Sequence, residues 1–375
     1  MMTKIYAYCN DIKAFQNNRV LSAAYCKHFA EISWIPYFVE LAKEKGQHVI
    51  TGDECLKAIN NQQIKASEVI VISELDSKHA QELVSMGSNP GIVLCYESPL
   101  FAETFYKNAE NICSGYPAGI LFNGLIKKHF YNKHNYYPTY FPSYSNDEIS
   151  ARLVPWEKRR ELVVVVSNKY YRDAFHFKKL LNPKKLEAWI RGKLKLSSCA
   201  IKRYAIKNQL HDTRLSAIDY FCNKSMLDIY GYSWNDLNNL PLKWRQRLKS
   251  HIEKLSPEQC GDKKRTIANY KFALCFENTV YPGYLTEKII DCFVAGVIPI
   301  YFGDPMVERI IPPEIFIDMR KYSTWNDLYL KLKSVNKIEG EKMIQSARHF
   351  LKSELGQSFT YRHHAKKIFN LVSQH

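Results

Sequence analysis

Between Phe276 and Pro305 the chain reads FENTVYPGYLTEKIIDCFVAGVIPIYFGDP. An apolar run, Tyr270 to Phe276, ends there, and Glu277 and Asn278 follow directly. A Pro282-Gly283 turn comes next, and a helix is predicted to begin between Tyr284 and Thr286 and to run to Ala295, with Gly296 as its cap. Glu287 and Lys288 fall in its first turn. Helix N-termini present unpaired N–H groups and a partial positive charge, which suits phosphate. A lysine there reaches a phosphate oxygen, and a glutamate accepts hydrogen bonds from two ribose hydroxyls. A Glu-Lys pair in a first turn is also a common surface feature, so the pair alone does not decide.

These groups need a frame. Strands are predicted at Ile5 to Cys9, His48 to Ile50, Val69 to Ile72 and Ile92 to Tyr96, the last closed by Glu97-Ser98-Pro99. Helices alternate with them, over Trp34 to Lys45 and from a Ser77 cap to Met86. That alternation implies a parallel sheet covered by helices. The polar stretch 145–160 marks a domain boundary, after which a second series begins. Its strands are Leu162 to Val166, Leu227 to Tyr230, Tyr270 to Phe276 and Val297 to Phe302. A helix is predicted from Arg214 to Asn223, and helices fill most of 323–374. The expected division is 1–150 and 151–375, the last helix being a candidate to return to the first domain. In open parallel sheets ligands bind beyond the carboxyl ends of the strands, so the residues just after strands carry the chemistry. The Tyr- and His-rich stretch from His129 to Tyr144 lines a cleft or forms an aromatic core edge.

With 375 residues the chain is too long for one ordinary core. A formal charge of +16 implies an anionic partner: nucleic acid, an anionic membrane or a phosphorylated small molecule. From Lys178 to Lys207 there are ten Lys or Arg residues and one acid, Glu187, interleaved with apolar residues. Two readings fit that segment: a basic amphipathic surface lying on an anionic membrane, or a solvated insertion. The ten cysteines form no C-x-x-C pair and read as buried reduced thiols. No signal-peptide pattern and no stretch of about 18 apolar residues occurs, so the expected location is cytoplasmic, with peripheral contact at the inner face of the membrane through 178–207.

Phe276-Glu277-Asn278, then Tyr284-Leu285-Thr286-Glu287-Lys288, then Pro299 and Gly303, resemble the signature of glycosyltransferase family 10, the α-1,3/α-1,4-fucosyltransferases. Val166-Ser167-Asn168, Arg214 and Asp228-Ile229-Tyr230-Gly231 resemble the family's S-N, R and D-x-Y-G series, and Glu97-Ser98-Pro99 its E-S-P element. The resemblance covers 91–305, most strongly 270–305. The connection 169–213 is longer than the family's. Arg172 therefore competes with Arg214, and the helix and D-x-Y-G strand after Arg214 favour the latter.

The resemblance implies a GT-B fold, two Rossmann-like domains facing a central cleft, with GDP-fucose held by the second. It implies that Arg214 and Lys288 contact the diphosphate, that Glu287 binds ribose hydroxyls, that Asn278 and Tyr284 contact phosphates or fucose, and that Ser167 and Asn168 line the donor site. Glu97 is implied as the general base from the acceptor-binding first domain, with partial burial expected to raise its pKa; otherwise it is a loop carboxylate or an N-cap. One displacement would invert the anomeric centre and give an α-linked product, α-1,3 to N-acetylglucosamine or a similar sugar. The acceptor oligosaccharide would be free or lipid-linked. The chain contains no Asp-x-Asp, so no metal site and no obligatory cofactor are expected, a divalent ion being at most stimulatory. Two readings compete: a GT-B transferase using another nucleotide sugar, and a protein that binds anionic lipid or nucleic acid. No recognised nucleic-acid module supports the last, and no nucleic-acid partner is expected.

Overall fold

The computed structural model describes residues 4–27, 29–98, 100–122, 136–150, 152–168, 170, 200–255 and 257–374. The chain divides into two units. The first comprises Met1–Ser150, Pro282–Ile290 and Lys352–His375; the second comprises Ala151–Tyr281 and Asp291–Leu351. This departs from a single cut at residue 150. Tyr284, Glu287 and Lys288, expected within the nucleotide domain, group with the first unit.

In the first unit six parallel strands form one sheet: β1 (Ile5–Cys9), β2 (His48–Thr51), β3 (Val69–Glu74), β4 (Asn89–Cys95), β5 (Ala118–Phe122) and β6 (Tyr136–Thr139). Their order is β2-β1-β3-β4-β5-β6. Tyr6 to Cys9 and Val69 to Ile72 are buried without alternation, as strands covered on both faces must be. Helices α1 (Ile35–Glu44), α2 (Gly52–Asn60), α3 (Lys78–Ser85) and α4 (Glu103–Ser114) supply cover. Gly46, at φ 68°, ends α1, and Gly87, at φ 98°, follows α3. Ser77 holds the N-cap position of α3, but its hydroxyl does not cap. It donates instead to Asp11 Oδ1 at 2.7 Å, and the Lys78 N–H donates to the same carboxylate at 3.0 Å. The cap is thus supplied by the loop after β1, an acid at a helix N-terminus being favourable.

The terminal helix, Tyr361–Ser373, also packs in this unit. Phe369 meets Phe38 of α1 at 5.6 Å and Tyr6 of β1 at 6.0 Å, both edge-on. His364 stands edge-on to Trp34 at 5.5 Å.

The second unit holds five parallel strands: β7 (Arg160–Val165), β8 (Leu227–Tyr230), β9 (Tyr270–Phe276), β10 (Ile298–Phe302) and β11 (Ile317–Asp318). Their order is β11-β10-β9-β7-β8. Helices α5 (Ala200–Lys207), α6 (His211–Asn223), α7 (Leu242–Leu255), α8 (Glu287–Ala295), α9 (Trp325–Ser334) and α10 (Lys337–Lys352) accompany them, α8 beginning in the first unit's grouping. The core gathers Leu162 and Val164 of β7, Ile218 and Phe221 of α6, Phe272 of β9, Ile300 of β10 and Leu328 of α9.

At the exit of β8, Gly231 has φ 135°, and a Cβ added to it would lie 2.2 Å from the Val166 carbonyl oxygen. That oxygen belongs to backbone, so it cannot swing aside. Gly231→Ala is expected to cost about 3 kcal/mol through forced φ and the clash, lowering the melting temperature by about 9 °C. A thermal melt within about 2 °C of the parent would contradict this account.

Both sheets are doubly wound. Strand order reverses between β1 and β3 in the first unit and between β7 and β9 in the second, and ligands of such sheets bind outside the strands' carboxyl ends at that reversal. Among the described residues no helix is long and apolar enough to cross a membrane, and no disulfide joins the nine described cysteines. Pro99, Arg172, Cys199, residues 129–135 of the aromatic stretch and residues 178–199 of the basic segment lie outside the described residues.

Candidate functional site

In the second unit, residues at the β7/β9 reversal are held by backbone hydrogen bonds. The Val166 carbonyl accepts from Trp234 Nε1 at 2.7 Å, and the Asn168 N–H donates to the Tyr232 carbonyl at 2.8 Å. Asn168 is 3% exposed, and its Nδ2 donates to the Ser233 and Asp236 carbonyls at 3.0 and 2.8 Å. Its carboxamide therefore pins the 232–236 turn, while Oδ1 has no hydrogen-bond partner among the described residues. A shallow hollow with about 10 Å³ of enclosed space lies here against Ser167, Asn168, Tyr170, His211 and Arg214.

Arg214 projects from the first turns of α6. Its Nη2 donates to the Phe276 carbonyl at 2.8 Å and to the Glu277 carbonyl at 2.9 Å. It is buried, fastens the exit of β9 to α6, and lines the hollow. Burial, reinforced by the Arg214 charge and opposed by Asp212, pushes the His211 pKa down to about 4. The imidazole is neutral at pH 7, so it adds no charge beside the guanidinium. Asp212 accepts from Tyr170 Oη at 2.7 Å and from Trp244 Nε1.

Asn278 is half-buried on a loop stitched to the α5–α6 turn. The Leu210 N–H donates to its carbonyl at 3.0 Å, the Val280 N–H to Asn208 at 2.9 Å, and Thr279 Oγ1 to the Ala205 carbonyl at 2.9 Å. The last residues of the basic segment, as α5, are thereby tied to the functional loop. Glu277 is fully buried, and Gly303 leaves room for it: a Cβ at 303 would meet Glu277 Cγ at 2.4 Å.

In the first unit Glu97 lies two residues past the end of β4. Tyr96 beside it is buried, its hydroxyl 2.5 Å from His364 Nε2 on the terminal helix. The Glu97 carbonyl accepts from Tyr106 Oη at 2.8 Å, and Glu97 Oε1 accepts the Ser98 N–H at 2.8 Å. The backbone is thus fixed while the side chain is exposed. This corrects the expected partial burial: Glu97 is exposed although Tyr96 and Ser98 on either side of it are buried. Tyr284 is buried and influences the Tyr106 hydroxyl electrostatically. Lys288 Nζ donates to Thr286 Oγ1 at 2.8 Å and lies 3.9 Å from Glu287 Oε1. Glu287 and Lys288 open α8, as the sequence implies, with both side chains about one-fifth exposed.

Two acids that sequence reasoning missed share this region. Burial raises the Glu31 pKa, and the charges of Glu287 and Glu97 add to it. Burial pushes Glu74 up to about 7, against hydrogen bonds from Tyr8 Oη and Asn10 Nδ2 that favour its charged form, with Glu31 and Glu97 adding repulsion. The strand-end rule that selects Glu97 also selects Glu74, the last residue of β3, and Asn10, the first after β1.

The structure therefore brings Ser167, Asn168, Arg214 and Asn278 to the strand exits of the second unit. It groups Glu97, Tyr284, Glu287 and Lys288 with the first. Among the described residues no group of three or more His, Cys, Asp or Glu side chains is placed to hold a metal ion.

Residues 193–345 match the family model described as Glycosyltransferase family 10 (fucosyltransferase) C-term. An α-(1,3)-fucosyltransferase FucT of Helicobacter pylori is 41% identical over 66 residues, 18% of this chain and 14% of that protein. The 4-galactosyl-N-acetylglucosaminide 3-α-L-fucosyltransferase FUT6 of Pongo pygmaeus is 30% identical over 109 residues, 27% of this chain and 30% of that protein. The matches thus span less than a third of either relative's length. A crystal structure of an α1,3-fucosyltransferase with GDP-fucose superposes over 100% of this chain and 91% of its own, with TM-score 0.50 and 14% identity. At that identity the likeness is one of fold, and the fold is of the GT-B type.

Proposed function

We propose that this chain, whose residues 193–345 match the glycosyltransferase family 10 model, moves L-fucose from GDP-fucose to a hydroxyl of an acceptor glycan with inversion at the anomeric carbon. The observation that carries the reading is the placement of Arg214, Ser167 and Asn168 at the strand-order reversal of the second sheet, beside the loop that bears Asn278. Arg214 and Lys288 take the diphosphate, helped by the N–H groups that open α8. Glu287 accepts from the ribose hydroxyls. Asn278 and Tyr284 take phosphate or fucose, and Ser167 and Asn168 the donor side.

In the reaction Glu97 removes the proton of the acceptor hydroxyl. The acceptor oxygen attacks the anomeric carbon opposite GDP, that carbon's bond to the diphosphate oxygen breaks, and the β-linked donor yields an α-linked product. Negative charge grows on the leaving diphosphate, and two fixed cations with a helix N-terminus stabilise it in place, so no metal is required. The acceptor reading is O3 of N-acetylglucosamine, the linkage named for the Pongo pygmaeus relative.

The test is incubation with GDP-fucose and N-acetyllactosamine or related acceptors, with product detected by mass. GDP-, UDP- and ADP-sugars are compared in parallel as thermal protectants. Absence of both transfer and hydrolysis, or protection by a UDP-sugar above GDP-fucose, overturns the donor. Lys288→Ala is expected to weaken GDP binding about thirtyfold in calorimetry, the loss of one charge-assisted contact. An unchanged Kd would remove Lys288 from the diphosphate.

A further inference from the structure

Glu74 is the acid that the mechanism above does not use. It ends β3 at the point where strand order reverses in the first sheet, and β4, which leads to Glu97, is its neighbour. Glu74 pairs with Leu94, three residues before Glu97, and the Leu75 N–H donates to the Leu94 carbonyl at 2.8 Å. Its Oε2 accepts from Tyr8 Oη and, at 2.8 Å, from Asn10 Nδ2, both at the exit of β1. Those two donors converge on one carboxylate oxygen, an arrangement that favours the charged form. Packing alone would be served as well by a neutral glutamine.

We propose that Glu74 is a positioning residue of the transfer reaction, acting through Glu97: it places negative charge beside the base and makes it a better proton acceptor. The inference rests on Glu97 as the base. In the step itself the acceptor O–H bond breaks, its proton goes to Glu97, and Glu74 exchanges protons only with solvent.

The groups facing Glu74 come from four elements. Tyr8 and Asn10 lie on β1 and its exit. Tyr96 and Glu97 lie on the exit of β4, and Glu31 on the turn before α1. His364 of the terminal helix bonds Tyr96, and burial, with the Lys367 and His363 charges, pushes it down to about 3, so it is neutral throughout. The sign follows from Glu74, whose pKa burial raises to about 7. Below that pH Glu74 is protonated, and Glu97 feels no charge from it. Above it Glu74 is anionic and strengthens Glu97 as a base.

The experiment measures kcat/KM for transfer from GDP-fucose to N-acetyllactosamine between about pH 5.5 and about pH 9. The parent enzyme is expected to show an extra rise of about threefold through pH 7. In Glu74→Gln that rise disappears, and activity at about pH 8 drops about threefold, with GDP affinity and melting temperature near the parent's. In Tyr8→Phe, which removes a donor to the charged form, the rise moves to higher pH. An inflection near pH 7 that persists in Glu74→Gln defeats the inference. Should Glu74→Gln fail to fold, an inflection unmoved in Tyr8→Phe defeats it equally. Glu97→Gln runs alongside. If it retains transfer, the base reading fails and takes this inference with it. If it is inactive while Glu74→Gln keeps the inflection, the inference alone fails.

Discussion

Glu97→Gln is expected to lower fucosyl transfer about a thousandfold while leaving the GDP Kd within about twofold, as loss of a positioned general base does. The substitution keeps size and removes basicity. The backbone around Glu97 is held by Tyr106, and the Ser98 N–H that Oε1 accepts can be accepted by the glutamine oxygen as well. Donor affinity is assigned to other residues, so binding and chemistry separate. The exposure of Glu97 matters here: a base open to water is solvated until the acceptor docks and strips that water. Near-parent turnover with GDP-fucose and N-acetyllactosamine, or a parallel collapse of GDP affinity, would refute the assignment.

Arg214→Met is expected to have the second large effect, on stability and donor binding together. The guanidinium satisfies two backbone carbonyls at the end of β9, Phe276 and Glu277, in a buried setting. Methionine fills similar space and leaves both acceptors without that donor. At about 1–3 kcal/mol for each lost partner, the unit should lose about 3 kcal/mol, or about 9 °C of melting temperature. The carbonyls that shift are those directly before Asn278, so GDP binding should weaken by more than tenfold or so. Arg214→Lys separates the two roles: it restores charge without the fork, so it should recover GDP affinity in part and stability little. Melting and GDP affinity both at parent values for Arg214→Met would rule out either role.

Most of the frame was legible because its strands are covered on both faces. Runs such as Tyr6 to Cys9 and Val69 to Ile72 announce themselves without needing a period, and Gly46, Gly87 and Gly296 stop helices at positive φ. What could not be read was which partner a polar side chain takes. Ser77 stands where a cap belongs, yet Asp11, 66 residues earlier, does the capping. Arg214 was read for its charge, and its contacts to the end of β9 are set by tertiary geometry that spacing does not reveal. Glu97 was expected to share the burial of β4, but its side chain is exposed between buried Tyr96 and Ser98. Glu74 lay hidden in plain sequence because no motif surrounds it. Its character comes from Tyr8 and Asn10, which approach from another strand.

The order of synthesis differs from the order of packing in the first unit. Its sheet emerges early, yet the helix that covers Tyr6, Phe38 and Trp34 follows every strand of both sheets in the chain. Tyr96 and its partner His364 are separated by 268 residues. Until that helix is made, the aromatic cluster of Tyr6, Phe38 and Trp34 lacks part of its cover, while the second unit already has every strand it needs. Assembly should therefore be completed out of sequence, the first unit closing last. A premature stop before Tyr361 would leave an intact second unit attached to a first unit whose Tyr6 and Phe38 lack the cover of Phe369.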